Sequence, residues 1–167
     1  MRIIPIVSLV LSAAVVFAAP VTIVEDGQAK AVIVCAEDAS EQLANAAIEM
    51  QECIAEASGA TLEIVDKPRE GMGAIHIGQT DMEQAVPVMD ELDDDGFYID
   101  FPEPGEVLII GPTDYGTEFG VYDFLERYVG VRWLLPGEDG RDVPTEATIT
   151  IPDTVVHDEP AFFSRLM

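Results

Sequence analysis

Two stretches of this 167-residue sequence bring together residue types that could do chemistry. Asp90-Glu-Leu-Asp-Asp-Asp-Gly96 crowds carboxylates before a glycine, as a calcium loop does. In EF-hand register Glu91, Asp93 and Asp95 would be the first three ligands, with Gly96 at the sharp turn. The twelfth position, which needs a bidentate acid, is then Pro102, and apolar Phe97 and Ile99 intervene. The pattern is that of a solvated acidic turn, and no metal site is expected. Gly111-Pro-Thr-Asp-Tyr-Gly-Thr-Glu118 has the glycines of a phosphate loop, but Thr117 and Glu118 stand where lysine and hydroxyl are required. Glu118 would also compete with an anion for the helix dipole. The glycines are expected to shape a turn, with Asp114 or Thr117 capping the helix that follows. His76 lies mid-strand between isoleucines, and His157 lies near the C-terminus, neither beside a nucleophile. With 32 Asp and Glu residues in the chain, close carboxylate pairs arise by chance, so none is singled out as an acid–base pair. Residue chemistry alone assigns no catalytic residue and no cofactor.

The elements that would position these residues follow from hydropathy. Val21–Val24 and the apolar run Ala31–Cys35 flank Asp26-Gly27 and read as a hairpin. Asp38 or Ser40 caps a helix to about Ser58, stopped by Gly59, with Leu43, Ala47, Met50, Ile54 and Ala57 as its buried stripe. Thr61–Val65 and Ala74–Ile77 are strand-length, and a short helix fits between Thr80 and Met89. Gly96–Phe101 and Val107–Ile110 form a second hairpin. A second helix is expected from about Thr117 to Tyr128, stopped by Gly130. Val131–Leu135 and Ala147–Ile151 are the last strands. About eight short strands and two substantial helices predict an α/β (α+β) fold, a mixed β-sheet with helices packed on it.

Export is written at the N-terminus. Arg2, the apolar run Ile3–Ala18, and small Val16 and Ala18 before Pro20 are laid out as a secretory signal peptide over 1–18. Its removal leaves roughly 150 residues, one ordinary domain. The protein is then expected to be secreted or periplasmic, with no membrane anchor. A formal net charge of −24 excludes nucleic acid and anionic lipid as partners and is expected to keep the protein soluble. Two cysteines in an exported chain invite a disulfide, yet Cys35–Cys53 pairing is unforced, and two buried thiols serve equally. They form no CxxC motif and no cluster with histidine, so no zinc site is expected.

One stretch is specific. Tyr115-Gly-Thr-Glu-Phe-Gly-Val-Tyr-Asp-Phe-Leu-Glu-Arg-Tyr-Val-Gly-Val-Arg-Trp133 resembles the helix segment G-T-x-x-G-V-Y-D-F-L-E-x-x-x-G-x-R-W of the domain that precedes catalytic barrels in α-glucuronidases. Related domains of β-hexosaminidases share the plan. The Ser58–Leu62 turn, Ile75-His-Ile-Gly78, Gly96-Phe-Tyr-Ile99, Leu108-Ile-Ile-Gly111 and Asp142-Val-Pro144 follow in the same order. The resemblance implies a hexosaminidase N-terminal-domain-like fold over 19–152, non-catalytic, packed on a (β/α)8 barrel normally in the same chain. Glu159-Pro-Ala-Phe-Phe-Ser-Arg165-Leu-Met167 is similar to the P-x-F-x-x-R-G-x-M entry to the β-hexosaminidase barrel. It implies that 153–167 are a linker and the first residues of a catalytic barrel, the rest of which is absent from this chain. It also makes Arg165 the one substrate-binding residue, although Leu166 replaces the glycine of the motif. The expected function is an accessory domain of a secreted glycoside hydrolase in polysaccharide degradation, with no activity in this fragment. An oligosaccharide is a further partner, and a free-standing carbohydrate-binding or interaction module is the alternative reading.

Overall fold

Ala31–Cys35 offers five apolar side chains with no polar break, so both faces of that strand must be covered. In a computed structural model describing residues 19–78, 91–135, 137 and 140–159, all five are buried. The first strands are β1 (Val21–Glu25), β2 (Gln28–Ala29) and β3 (Ala31–Cys35). Helix α1 (Glu41–Ser58) follows, then β4 (Ile64–Val65) and β5 (Gly73–Ile77). Next come β6 (Phe97–Asp100), β7 (Glu106–Ile110) and α2 (Asp114–Phe124), which continues as a π-helical turn, Leu125–Val129. Short strands end the fold: β8 (Arg132–Trp133), β9 (Arg141–Asp142), β10 (Ile149–Ile151) and β11 (Val156–Asp158).

A six-stranded sheet runs β11-β6-β7-β5-β3-β4. Strands β4, β3, β5 and β7 are parallel, while β6 and β11 are antiparallel at one edge. The mixed sheet read from the sequence is therefore present. Because side chains alternate across a strand, Ile33, Ile75, Ile77 and Ile109 share a core with Met50 and Ile54 of α1 and Phe124 of α2. Val32, Val34 and Ala74 occupy the opposite face, packed with Val65 and Met72.

The expected first hairpin is corrected. Asp26 and Gly27 do turn the chain, with φ of 50° and 71°, but β1 pairs with β2, Val24 opposite Ala29. Strand β3 passes instead into the large sheet between β4 and β5. An all-apolar strand loses less free energy there than with one face in water. A separate sheet, β10-β1-β2, and the ribbon β8-β9 complete the described fold.

Helix α1 begins as its sequence dictates. Ser40 accepts a hydrogen bond from the Leu43 N–H, and Gly59 ends the helix in the left-handed conformation. Helix α2 starts earlier than expected: Thr113, and neither Asp114 nor Thr117, is its cap, accepting from the Gly116 N–H. Its end differs too, because the π-helical turn adds a residue to the spacing. Val129 is thereby buried, and Tyr128, the expected end of the helix, is only partly so. Strand β11, in the stretch read as a linker, pairs with β6 and belongs to the main sheet. The signal peptide and the short helix expected between Thr80 and Met89 lie outside the described residues.

Candidate functional site

The acidic turn ahead of β6 is built to connect elements. Gly96 N–H donates to the Asp93 carbonyl, and the Thr113 hydroxyl donates to the Asp94 carbonyl. The side chains of Asp93, Asp94 and Asp95 remain in solvent. Among the described residues no three His, Cys, Asp or Glu side chains converge as a metal site would require.

The loop from Gly111 into α2 spends its donors on itself. Thr117 is buried, and its hydroxyl accepts from the Gly111 N–H at 2.9 Å while donating to the Thr113 carbonyl. Thr117 N–H donates to the same carbonyl. Gly116 lies against the Gly96 carbonyl so closely that a Cβ there would collide with it. Glu118 accepts a hydrogen bond from the Gln42 side chain of α1. The loop therefore locks helix to sheet and leaves no cradle for a phosphate at these glycines.

Three polar groupings lie elsewhere. On the helical layer, Arg141 of β9 donates to Glu49 at 2.7 Å and to Glu56 at 2.9 Å, clamping the ribbon to α1. Beneath it the Cys53 thiol donates to Glu49 at 3.6 Å. Burial pushes that thiol up to about 12, with Arg141 opposing and Glu49 adding to the shift. Both cysteines are free and buried, and burial also raises Cys35. Neither resembles an activated nucleophile, which needs a depressed pKa.

In the sheet, buried His76 on β5 sits with Nε2 3.6 Å from a Glu106 carboxylate oxygen, beyond hydrogen-bond reach, and that nitrogen has no partner among the described residues. Burial lowers its pKa more than Glu106 raises it, so the ring is neutral at pH 7. At the sheet edge, Glu91, Leu92, His157, Asp158 and Glu159 line an open groove of about 420 Å³. His157, expected in a linker, stands on β11 with its ring stacked 6.4 Å from Tyr98. One Glu159 oxygen is committed to the Asp93 N–H.

The two histidines thus stand on different strands, one inside and one at the edge, and the one thiol–carboxylate contact described, Cys53 with Glu49, holds a thiol whose pKa burial raises. Arg165 lies outside the described residues. Sequence reasoning missed the Arg141 clamp and the His76–Glu106 contact, since nothing in the local pattern marks residues so far apart as neighbours.

The architecture is that of a domain found in glycoside hydrolases. A family GH115 4-O-methyl-alpha-glucuronidase with specificity for decorated arabinogalactans shares the fold with a TM-score of 0.61 at 15% identity, over 84% of this chain and 18% of its own. The N-acetyl-beta-hexosaminidase of Streptomyces plicatus matches with a TM-score of 0.56 at 14% identity, over 88% of this chain and 24% of its own. The Streptomyces coelicolor A3(2) GH20 beta-N-acetylhexosaminidase gives 0.55 at 17%, over 88% of this chain and 25% of its own. This chain therefore spans only 18% to 25% of those proteins' lengths. No curated protein matches its sequence. Residues 22–124 match the family described as Glycosyl hydrolase family 67 N-terminus, and the chain belongs to that family.

Proposed function

We propose that this chain is the non-catalytic accessory domain of an exported glycoside hydrolase of α-glucuronidase type, with the chemistry carried by a (β/α)8 barrel. The family match over residues 22–124 carries the reading. One feature supports it: the loop that most resembles an anion site is closed by its own hydrogen bonds. The domain stabilises the barrel and shapes the rim of its sugar site, where Arg165 supplies a contact to the substrate. Polysaccharide decorated with glucuronic acid is the substrate class of the whole enzyme. Export follows from the layout of residues 1–18.

The test is direct. The purified 167-residue protein is incubated with glucuronylated xylo-oligosaccharides and aryl glycosides, and released sugar is measured. No turnover is expected. Hydrolysis that survives repurification would overturn the accessory reading. Mass spectrometry of the exported protein checks localisation, with an N-terminus at Ala19 expected and an intact Met1 counting against export.

A further inference from the structure

The turn Leu125–Val129 is π-helical, a rare geometry that is frequent at functional sites. It carries Arg127 and Tyr128 to the crossover between β10 and β11. There Arg127, Tyr128, Thr150, Pro152, Thr154 and Val156 line an open groove of about 400 Å³, large enough for a small ligand. It shares no lining residue with the acidic groove at His157. Hydroxyls dominate its polar chemistry. Thr150 and Thr154 can each donate and accept, and the Thr150 hydroxyl already meets that of Thr22 at 3.1 Å. The Tyr128 hydroxyl is buried and has no partner among the described residues. Burial raises its pKa against the opposing charge of Arg127, so the phenol keeps its proton at neutral pH. Its ring is held edge-on against Phe124 at 5.2 Å. A buried donor without an acceptor is uncommon in a settled fold and asks for a reason.

Charge narrows the ligand. Arg127 donates to Asp123 through Nε at 2.8 Å and Nη2 at 2.9 Å, so the pair is neutral and Nη1 stands outside it. Arg127 is also the only cation among the lining residues, on a chain of net charge −24. An anion entering the groove would meet repulsion with no cation left to offset it. An uncharged ligand rich in hydroxyls, with one apolar face, fits the remaining groups. We propose that the groove binds a neutral sugar residue, one from the main chain of a polysaccharide rather than from its acidic decoration. The Thr150 and Thr154 hydroxyls and Arg127 Nη1 hydrogen-bond the ring hydroxyls, and the Tyr128 phenol gains the acceptor it lacks. Pro152 and Val156 lie against the C–H face of the sugar. The inference rests on the accessory-domain reading for its substrate class. It gives the domain a hold on the chain away from the bond that is cleaved, where binding energy can serve to position the substrate.

The experiment is an NMR titration of the whole chain, labelled with nitrogen-15, by xylotetraose, cellotetraose and sodium glucuronate in turn. Saturable amide shifts at Tyr128, Thr150, Thr154 and Val156 are expected with a neutral tetrasaccharide, and none there with glucuronate. Tyr128→Phe and Thr154→Val should each weaken binding by about 2- to 10-fold, the effect of one hydrogen bond. Glu91→Gln, in the other groove, should leave binding unchanged. The Tm of Tyr128→Phe should equal the parent's, because its hydroxyl bonds nothing within the described fold. A lowered Tm with unchanged binding would assign that hydroxyl to the fold and overturn the proposal. So would glucuronate shifting the same amides more than the neutral sugars do, shifts confined to other surfaces, or no shifts at all. None of these results touches the accessory role, which falls only if the purified chain turns over substrate.

Discussion

His76 is a buried polar side chain whose Nε2 has no hydrogen-bond partner among the described residues, and it shapes how the fold answers to acid. Its folded pKa lies below the ordinary 6.5 because burial outweighs the attraction of Glu106. The unfolded chain therefore takes up the proton first as pH falls. Stability is complete above pH 6.5 and is lost progressively below it, down through the folded value. Thermal unfolding followed from pH 7.5 to pH 5 should show Tm falling across this window, and His76→Leu should flatten that part of the curve. An unchanged acid slope in the variant would place the sensitivity elsewhere. A mid-strand histidine between isoleucines is legible in sequence as a buried position. Its nearness to Glu106 is not, because that contact depends on which parallel strand lies alongside.

At the scale of elements, legibility followed locality. Helix α1 reads directly, since its cap at Ser40, apolar stripe and Gly59 stop all lie within one stretch of chain. The β6–β7 hairpin reads for the same reason. Strand β3 did not, because its partners β5 and β4 are fixed by long-range packing rather than by the Asp26-Gly27 turn beside it. The start of α2 was misplaced because two threonines and an aspartate compete to cap it, and only the contact with Asp94 selects Thr113. The candidate site was legible mainly as an exclusion: two motif resemblances failed on residue identity, and the structure gives both stretches structural work. Gly120 tests the close approach of α2 to the sheet, since a Cβ there would sit 2.8 Å from Ile109 Cγ2 and 3.1 Å from Phe97 Cβ. Gly120→Val should destabilise the fold by about 1–3 kcal/mol through overpacking. A Tm equal to or above that of the parent would show that the helix can lift away without loss.

For the whole molecule, charge is the dominant global term. A net of −24 on one domain means self-repulsion that the core must outweigh. Raising NaCl from about 0.05 M to about 1 M shortens the screening length to about 3 Å, so Tm should climb steadily with salt. A flat response would mean that ion pairs such as Arg141 with Glu49 and Glu56 lose as much to screening as the repulsion does. The pairing of β1 with β10, Val21 opposite Ile151, carries a different consequence. A ribosome delivers β1 well before β10, so Ile23 and Val24 wait through the synthesis of every element between the two strands for that partner. Loop closure over that span is entropically costly and slow compared with forming α1. The interval is one in which an apolar strand stands open to chaperones or to misplaced neighbours, and the rate of closing it governs how much newly made protein reaches its native form.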